Sequence, residues 1–237
     1  MKSIQHPYRL TPLIVSVICA GWPLGPALGA ETLFLRDGSV LIGQVSEGPS
    51  HDYVVSSPRY GVVSVLQADV VYRQSQEADV HNETIVIRAD GLAVVASRRH
   101  DVPKRMPDKD RFNLLVTGQV QSVVDPNGAD VPFETQAMGD NSLVSIAYGA
   151  LAQQVAYVTI TTLERGALQP LASGLWSLQL HTIPAQDELL RVIVRYPKTF
   201  RARQVGPSPA LEADGLIVWE QGLRRQQQFT AEVLFAL

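Results

Sequence analysis

Thr32-Leu33-Phe34-Leu35-Arg36-Asp37-Gly38-Ser39-Val40-Leu41-Ile42-Gly43-Gln44-Val45 decides the fold class of this chain. Two apolar runs, residues 32–36 and 39–45, flank an Asp-Gly pair. That pair supplies the positive φ angles of a tight primed turn, so the stretch reads as a β-hairpin. Gly43 inside the second run predicts a bulge or sharp bend, as small barrels need. The signals recur just downstream, where 53–56 and 62–66 flank Pro58-Arg59-Tyr60-Gly61 and 70–72 can close the sheet. Five short strands at this spacing predict a small β-barrel over residues 30–73.

Toward the N-terminus, residues 1–29 read as a signal peptide. Lys2 and Arg9 precede an apolar run from 13 to 20, and small residues precede Glu31. Ala27 and Gly29 suit cleavage before Ala30, whereas cleavage before Glu31 puts Leu28 at the −3 position. The run falls short of the roughly 20 residues of a spanning helix. Ile18 ahead of Cys19 does not fit a lipobox. Removal takes Lys2, Arg9 and the one cysteine, moving the formal charge from −3 to −5. A cysteine-free mature chain suits a periplasmic or extracellular location, where a free thiol is oxidised. No transmembrane helix is expected in the mature chain.

Toward the C-terminus, the polar stretch 74–82 reads as a linker. Period-2 alternation then continues through 83–237, with about ten strands bounded by turn signals, and predicts a β-sandwich of two packed sheets. Asp90-Gly91 and Asp125-Pro126-Asn127-Gly128 mark hairpins; the latter is flanked by 112–124 and 131–135. The alternation places Trp176, Leu178 and Leu180, then Val192, Val194 and Tyr196, then Phe229, Ala231, Val233 and Phe235 on core faces. Trp219 and Trp176 alternate with aliphatic residues and read as core rather than sugar-stacking platforms. The fold class is all-β: a five-stranded barrel followed by a larger immunoglobulin-like sandwich.

The stretch 34–45, an apolar strand, an Asp-Gly turn and a glycine-bent strand, resembles the first motif of Sm-like and SH3-like barrels. The Arg-Gly pair of the second Sm motif is missing, so the resemblance implies the fold and not RNA binding. Residues 84–235 carry the Asp-Gly hairpin, the Val123-Val124-Asp125-Pro126-Asn127-Gly128 turn, the strand Tyr157-Val158-Thr159-Ile160-Thr161 and the late Val194-Arg195-Tyr196-Pro197 strand. In that order they resemble extracytoplasmic β-sandwich modules, as in the N-terminal domains of gluzincin zinc aminopeptidases and in transglutaminase-associated domains. The resemblance implies a module that accompanies a catalytic domain or stands alone. None of those families' catalytic motifs is present to carry over.

A His-Glu-x-x-His motif, a Gly-x-Ser-x-Gly elbow, a Walker loop and a dinucleotide glycine fingerprint are all missing from the sequence. No cofactor, metal site or catalytic residue is therefore expected, although a dispersed Ser-His-Asp site leaves no local signature. His51, His81, His100 and His181 read as solvated. Asp125-Pro126-Asn127-Gly128-Ala129-Asp130 lacks the acid and glycine spacing of a calcium loop and reads as a plain turn. The least ordinary segment is 98–111, where Arg98, Arg99, Lys104, Arg105, Lys109 and Arg111 outnumber Asp101, Asp108 and Asp110 in a chain of opposite net charge. With Pro103 and Pro107 it reads as a connector outside any sheet, and as a possible interaction loop toward an anionic surface. The net negative charge argues against nucleic acid as a partner. The expectation is a non-catalytic, secreted or periplasmic binding protein whose partner is another envelope protein or an anionic envelope surface. A hydrolase with a dispersed site and a carbohydrate-binding module are the alternatives; oligomeric state is not readable.

Overall fold

The computed structural model describes residues 31–37, 39–57, 61–74, 80–91, 93–105, 108–126, 128–151 and 155–237. The expected signal peptide lies outside them, as do Gly38, Pro58, Arg59, Tyr60 and Asn127 of the expected turns and the middle of the expected linker. The chain divides into two compact units, one ending at Gln74 and the other beginning at Ser75. Both are built from strands, as alternation predicts, and no α-helix occurs among the described residues.

The first unit is one antiparallel sheet of β1 (Glu31–Leu35), β2 (Val40–Glu47), β3 (Asp52–Ser57), β4 (Gly61–Leu66) and β5 (Val70–Gln74), in the order β4-β3-β2-β1-β5. The first turn is wider than the tight primed turn expected of Asp37-Gly38, because Asp37 does not take a positive φ and three residues, not two, separate the paired positions. The Leu35 N–H donates to the Ser39 carbonyl, and the Ser39 N–H donates to the Asp37 carboxylate at 2.8 Å. β2 pairs with β1 up to Gly43 and with β3 from Gln44 onward. A Cβ at Gly43 would lie 2.3 Å from the Ser56 carbonyl oxygen, so only glycine permits that approach. Leu33, Phe34 and Val55 are buried inside.

The second unit contains three sheets. The largest has seven strands in the order β17 (Leu211–Ala213), β18 (Leu216–Leu223), β15 (Glu188–Arg195), β6 (Val80–Ile87), β7 (Ala93–Asp101), β12 (Tyr157–Arg165) and β9 (Gln119–Val124). A four-stranded sheet runs β13 (Leu168–Pro170), β14 (Trp176–Thr182), β19 (Phe229–Ala236), β16 (Arg201–Gly206). A three-stranded sheet runs β10 (Phe133–Met138), β11 (Asn141–Ala147), β8 (Arg111–Thr117). All pairs are antiparallel except β6 with β15.

Register shows how the sheets stack. Ile85 lies opposite Ala96, Ala96 opposite Thr162, and Ile160 and Val158 follow Thr162 on the same side of β12. Ile85 and Ala96 pack with Leu178, Leu180, Phe229 and Phe235 of the four-stranded sheet. Ile160 and Val158 pack with Phe112, Val116, Val144 and Ile146 of the three-stranded sheet. The two small sheets therefore share one face of the large one, each over its own apolar core. The indole N–H of buried Trp219 donates to the Pro207 carbonyl at 2.8 Å, satisfying the polar edge that its burial demands.

Four further expectations change. The sandwich has three sheets, not two, because the run 112–124 is two strands broken at Gly118 (φ +86), β8 pairing in the small sheet and β9 in the large one. The turn at Asp125 holds, with its carboxylate accepting the Ala129 N–H, but only the bridge Val124–Asp130 follows it before β10 joins β11 instead. The ends of the expected linker are strand, since β5 runs through Gln74 and β6 starts at Val80. Finally, Arg191 and Ile193, expected on an exposed face, are buried, because β15 lies in the interior of the large sheet. The other assigned faces stand: Leu178, Val192, Val194, Tyr196, Phe229 and Val233 are all core, with Trp176 half-buried against them.

Candidate functional site: a polar cleft between two sheets

Along β7 the core-facing positions read Val94, Ala96, Arg98, His100, so the strand turns from apolar to polar as it passes beyond the cover of the four-stranded sheet. The neighbouring positions on β12 are Ile160 and Thr162. Arg98, His100, Ile160 and Thr162 line a cleft of about 240 Å³, together with Leu115, Val116 and Thr117 of β8 and His181 of β14. The cleft thus lies on the large sheet, with one small sheet on each side.

Beneath it is a buried ionic network. The Arg98 guanidinium is hydrogen-bonded to both carboxylate oxygens of Glu164, and its Nε lies 3.5 Å from Glu83. Glu83 also accepts a hydrogen bond from Thr182 Oγ1 at 2.8 Å, and Thr162 Oγ1 donates to Glu164 at 3.0 Å. His81 is bracketed by carboxylates, Nε2 lying 3.5 Å from Glu83 and Nδ1 3.2 Å from Glu188. Burial opposes every one of these charges, and their mutual contacts offset it. Despite burial, the hydrogen bond and charge of Glu83 and the charge of Glu188 hold His81 above its ordinary pKa. Likewise burial works against ionised Glu83, yet His81 and Arg98 keep its carboxyl below the usual range. Arg98 is raised by Glu164 and Glu83 against its own desolvation.

His100 behaves in the opposite way. Burial first, then the charges of His81 and Arg98, push it down to about 4, so it is a neutral imidazole at pH 7. Among the described residues its imidazole has no hydrogen-bond partner, and it lines the cleft with one donor and one acceptor nitrogen to offer.

The segment expected to be a basic loop is divided among three settings. Arg98 and Arg99 belong to β7, on its two faces. Arg99 stacks over the Tyr157 ring at 4.2 Å, donates to the Val80 carbonyl at 3.1 Å and meets Asp101 at 3.1 Å. Lys104, Arg105 and Lys109 are exposed, with Arg105 3.5 Å from Asp110. Arg111 opens β8 and is held by Glu134 at 2.8 Å and by Ser145. His81 and His100, read as solvated, are largely buried. The sequence signal missed was the alternation itself, which continues unbroken from Ala96 through Arg98 to His100 and from Glu83 back to His81. His51 and His181 are exposed as expected. A shallower hollow of about 510 Å³ lined by Tyr196, Arg201, Glu212 and Asp214 offers exposed polar groups only, apart from Tyr196. Among the described residues no cluster of histidine and acid side chains is placed to hold a metal ion, and no helix is long and apolar enough to cross a membrane.

No protein-family model matches this sequence. No curated protein matches it. Solved structures do. Native yeast leukotriene A4 hydrolase matches with a TM-score of 0.41 and 10% identity. A second native structure of the enzyme from Saccharomyces cerevisiae matches at 0.39 and 11%, and its complex with bestatin at 0.39 and 12%. Each match covers 65% of this chain and 28% of the yeast enzyme, so the chain spans under a third of that protein's length. At these scores and this identity the likeness is distant.

Proposed function

We propose that this protein is a non-catalytic binding protein of the cell envelope, exported by the N-terminal segment and acting through the second unit on another envelope component. The observation that carries this reading is the cleft, which is walled by two separate sheets and floored by polar groups that are not committed to chemistry. The charged groups below it are paired with one another: Arg98 is taken up by Glu164 and Glu83, and His81 by Glu83 and Glu188. What faces the opening is a neutral imidazole and the Thr117 hydroxyl beside Leu115, Val116 and Ile160, a mixture suited to recognition rather than proton transfer. For the first unit, the order β4-β3-β2-β1-β5 and the bend at Gly43 support an SH3-like barrel.

The test is affinity capture from native envelope extract with the intact mature protein as bait. A discrete component should be retained saturably and released by excess free protein. Retention of nothing, together with turnover of ester or peptide substrates that His100→Phe abolishes, would reverse the reading in favour of a hydrolase.

A further inference from the structure

We infer that the cleft is a strand-addition site, in which an extended polypeptide segment hydrogen-bonds to the free edge of β8 and turns an uncharged hydroxyl or amide side chain down onto His100. The inference rests on the binding reading above and names its ligand class.

Leu115, Val116 and Thr117 are consecutive in β8, so their side chains alternate between the two faces of the three-stranded sheet. Three consecutive residues can border one cavity only where the edge of the strand, with its main-chain N–H and C=O groups, borders it. The order β10-β11-β8 makes β8 the terminal strand of that sheet, so this edge has no strand beside it among the described residues. β8 also lacks the usual protection of an edge. From Phe112 to Thr117 it reads Phe-Asn-Leu-Leu-Val-Thr, with no charge and no proline, and Leu115 is 61% exposed. The opposite wall is open in the same way. β13 pairs with β14 only from Trp176 to Leu178, leaving the stretch with His181 without a partner on that side.

The floor selects the side chain. In an added strand alternate side chains point down, toward Arg98, His100, Ile160 and Thr162. Arg98 is already matched by two carboxylates, so an acidic group descending here would meet Glu83 and Glu164 beneath it, and a basic group would meet Arg98 and His81. A neutral imidazole without a partner instead wants a group that both donates and accepts, which a hydroxyl or a carboxamide does.

A randomised linear peptide library displayed on phage and panned against the intact protein provides the test. Enriched peptides should carry Ser, Thr, Asn or Gln between apolar residues. One of them, synthesised, should slow amide hydrogen exchange in β8. N-methylation of its backbone at alternate positions should abolish binding, and His100→Phe should weaken it at least tenfold, while Thr135→Val in β10 leaves it unchanged. Three results would overturn the inference: no enrichment, protection at β4 or β10 instead of β8, or affinity indifferent to N-methylation and to the floor substitution. The exchange readout needs only the wild-type protein, so it decides the matter even if a floor variant folds poorly. Envelope capture that succeeds while the library fails would leave the binding reading standing and remove the strand site.

Discussion

Arg98 holds two carboxylates apart from each other and from the apolar cores on either side. Replacing it with methionine keeps the volume and removes the charge, leaving Glu164 buried without its cation and Glu83 with His81 alone. Breaking one member out of a buried ionic cluster costs on the order of 3–5 kcal/mol, more than any surface ion pair contributes. Arg98→Met is therefore expected to lower the urea midpoint strongly, and Arg105→Met, whose partner Asp110 is exposed, to leave it unchanged. The histidines make the same cluster sensitive to pH from both sides. His100 has a depressed pKa, so between its unfolded value of about 6.5 and its folded value of about 4 the unfolded chain holds more protons, and stability falls as the solution is acidified. The slope approaches about 1.4 kcal/mol per pH unit in that window. Depressed Glu83 adds a further loss below the ordinary carboxylate range. His81 is raised, so its contribution is complete below about 6.5 and is lost as pH climbs through its folded value. Urea midpoints measured from pH 4 to 9 should form a dome, and His100→Asn should flatten only its acid limb. A dome unchanged by that substitution would show that His100 does not titrate between the states.

At the scale of the strand, Gly118 turns one apolar run into two elements. Its φ of +86 lies where a side chain is strained, and a Cβ there would stand 2.6 Å from the Leu163 carbonyl oxygen. Strain and collision together should make Gly118→Val lose more than about 2 kcal/mol, read as a clear fall in melting temperature. Gly128→Val, with open space around its position, should lose less although its φ is also positive. This break explains much of what was and was not legible in the chain. Alternation located the strands and most of their buried faces because it is a local property. It could not say that β8 and β9 leave Gly118 for different sheets, since continuity of apolar residues looks the same in a strand that changes partner as in one that does not. The site was hidden for a related reason. Arg98, Arg99 and Asp101 beside Pro103 look like a loop when the acids that neutralise Arg98 lie far off in sequence, Glu164 being 66 residues away. His81 was assigned to a linker because Gln74 to Asn82 is polar, although its imidazole lies between Glu83 and Glu188 inside a strand.

For the whole molecule, the decisive fact is that each unit closes its own core. Leu33, Phe34 and Val55 are buried within the first, and both apolar clusters of the second are drawn entirely from residues beyond Val80. Residues 80–237 produced alone are therefore expected to unfold cooperatively with a melting temperature close to that of the intact chain, and limited proteolysis to cut between Gln74 and Val80 without unfolding them. A fragment that is soluble but melts without a transition would show that the second unit needs the first.

The parallel pairing of β6 with β15 sets the order in which this molecule can assemble. Its register matches Val80 to Leu189 and Val86 to Arg195, and the Glu83–Thr182 hydrogen bond beside it spans 99 residues. The β6–β7 hairpin can form at once from neighbouring sequence. The middle of the large sheet, however, must wait until the chain beyond β14 is available, because no nearer strand supplies the partner. Contacts of such sequence separation place folding on the slow, millisecond-to-second side. During that interval the waiting edge of β6, rich in Val and Ile, is the surface most prone to capture another chain, and the one that a chaperone would have to shield.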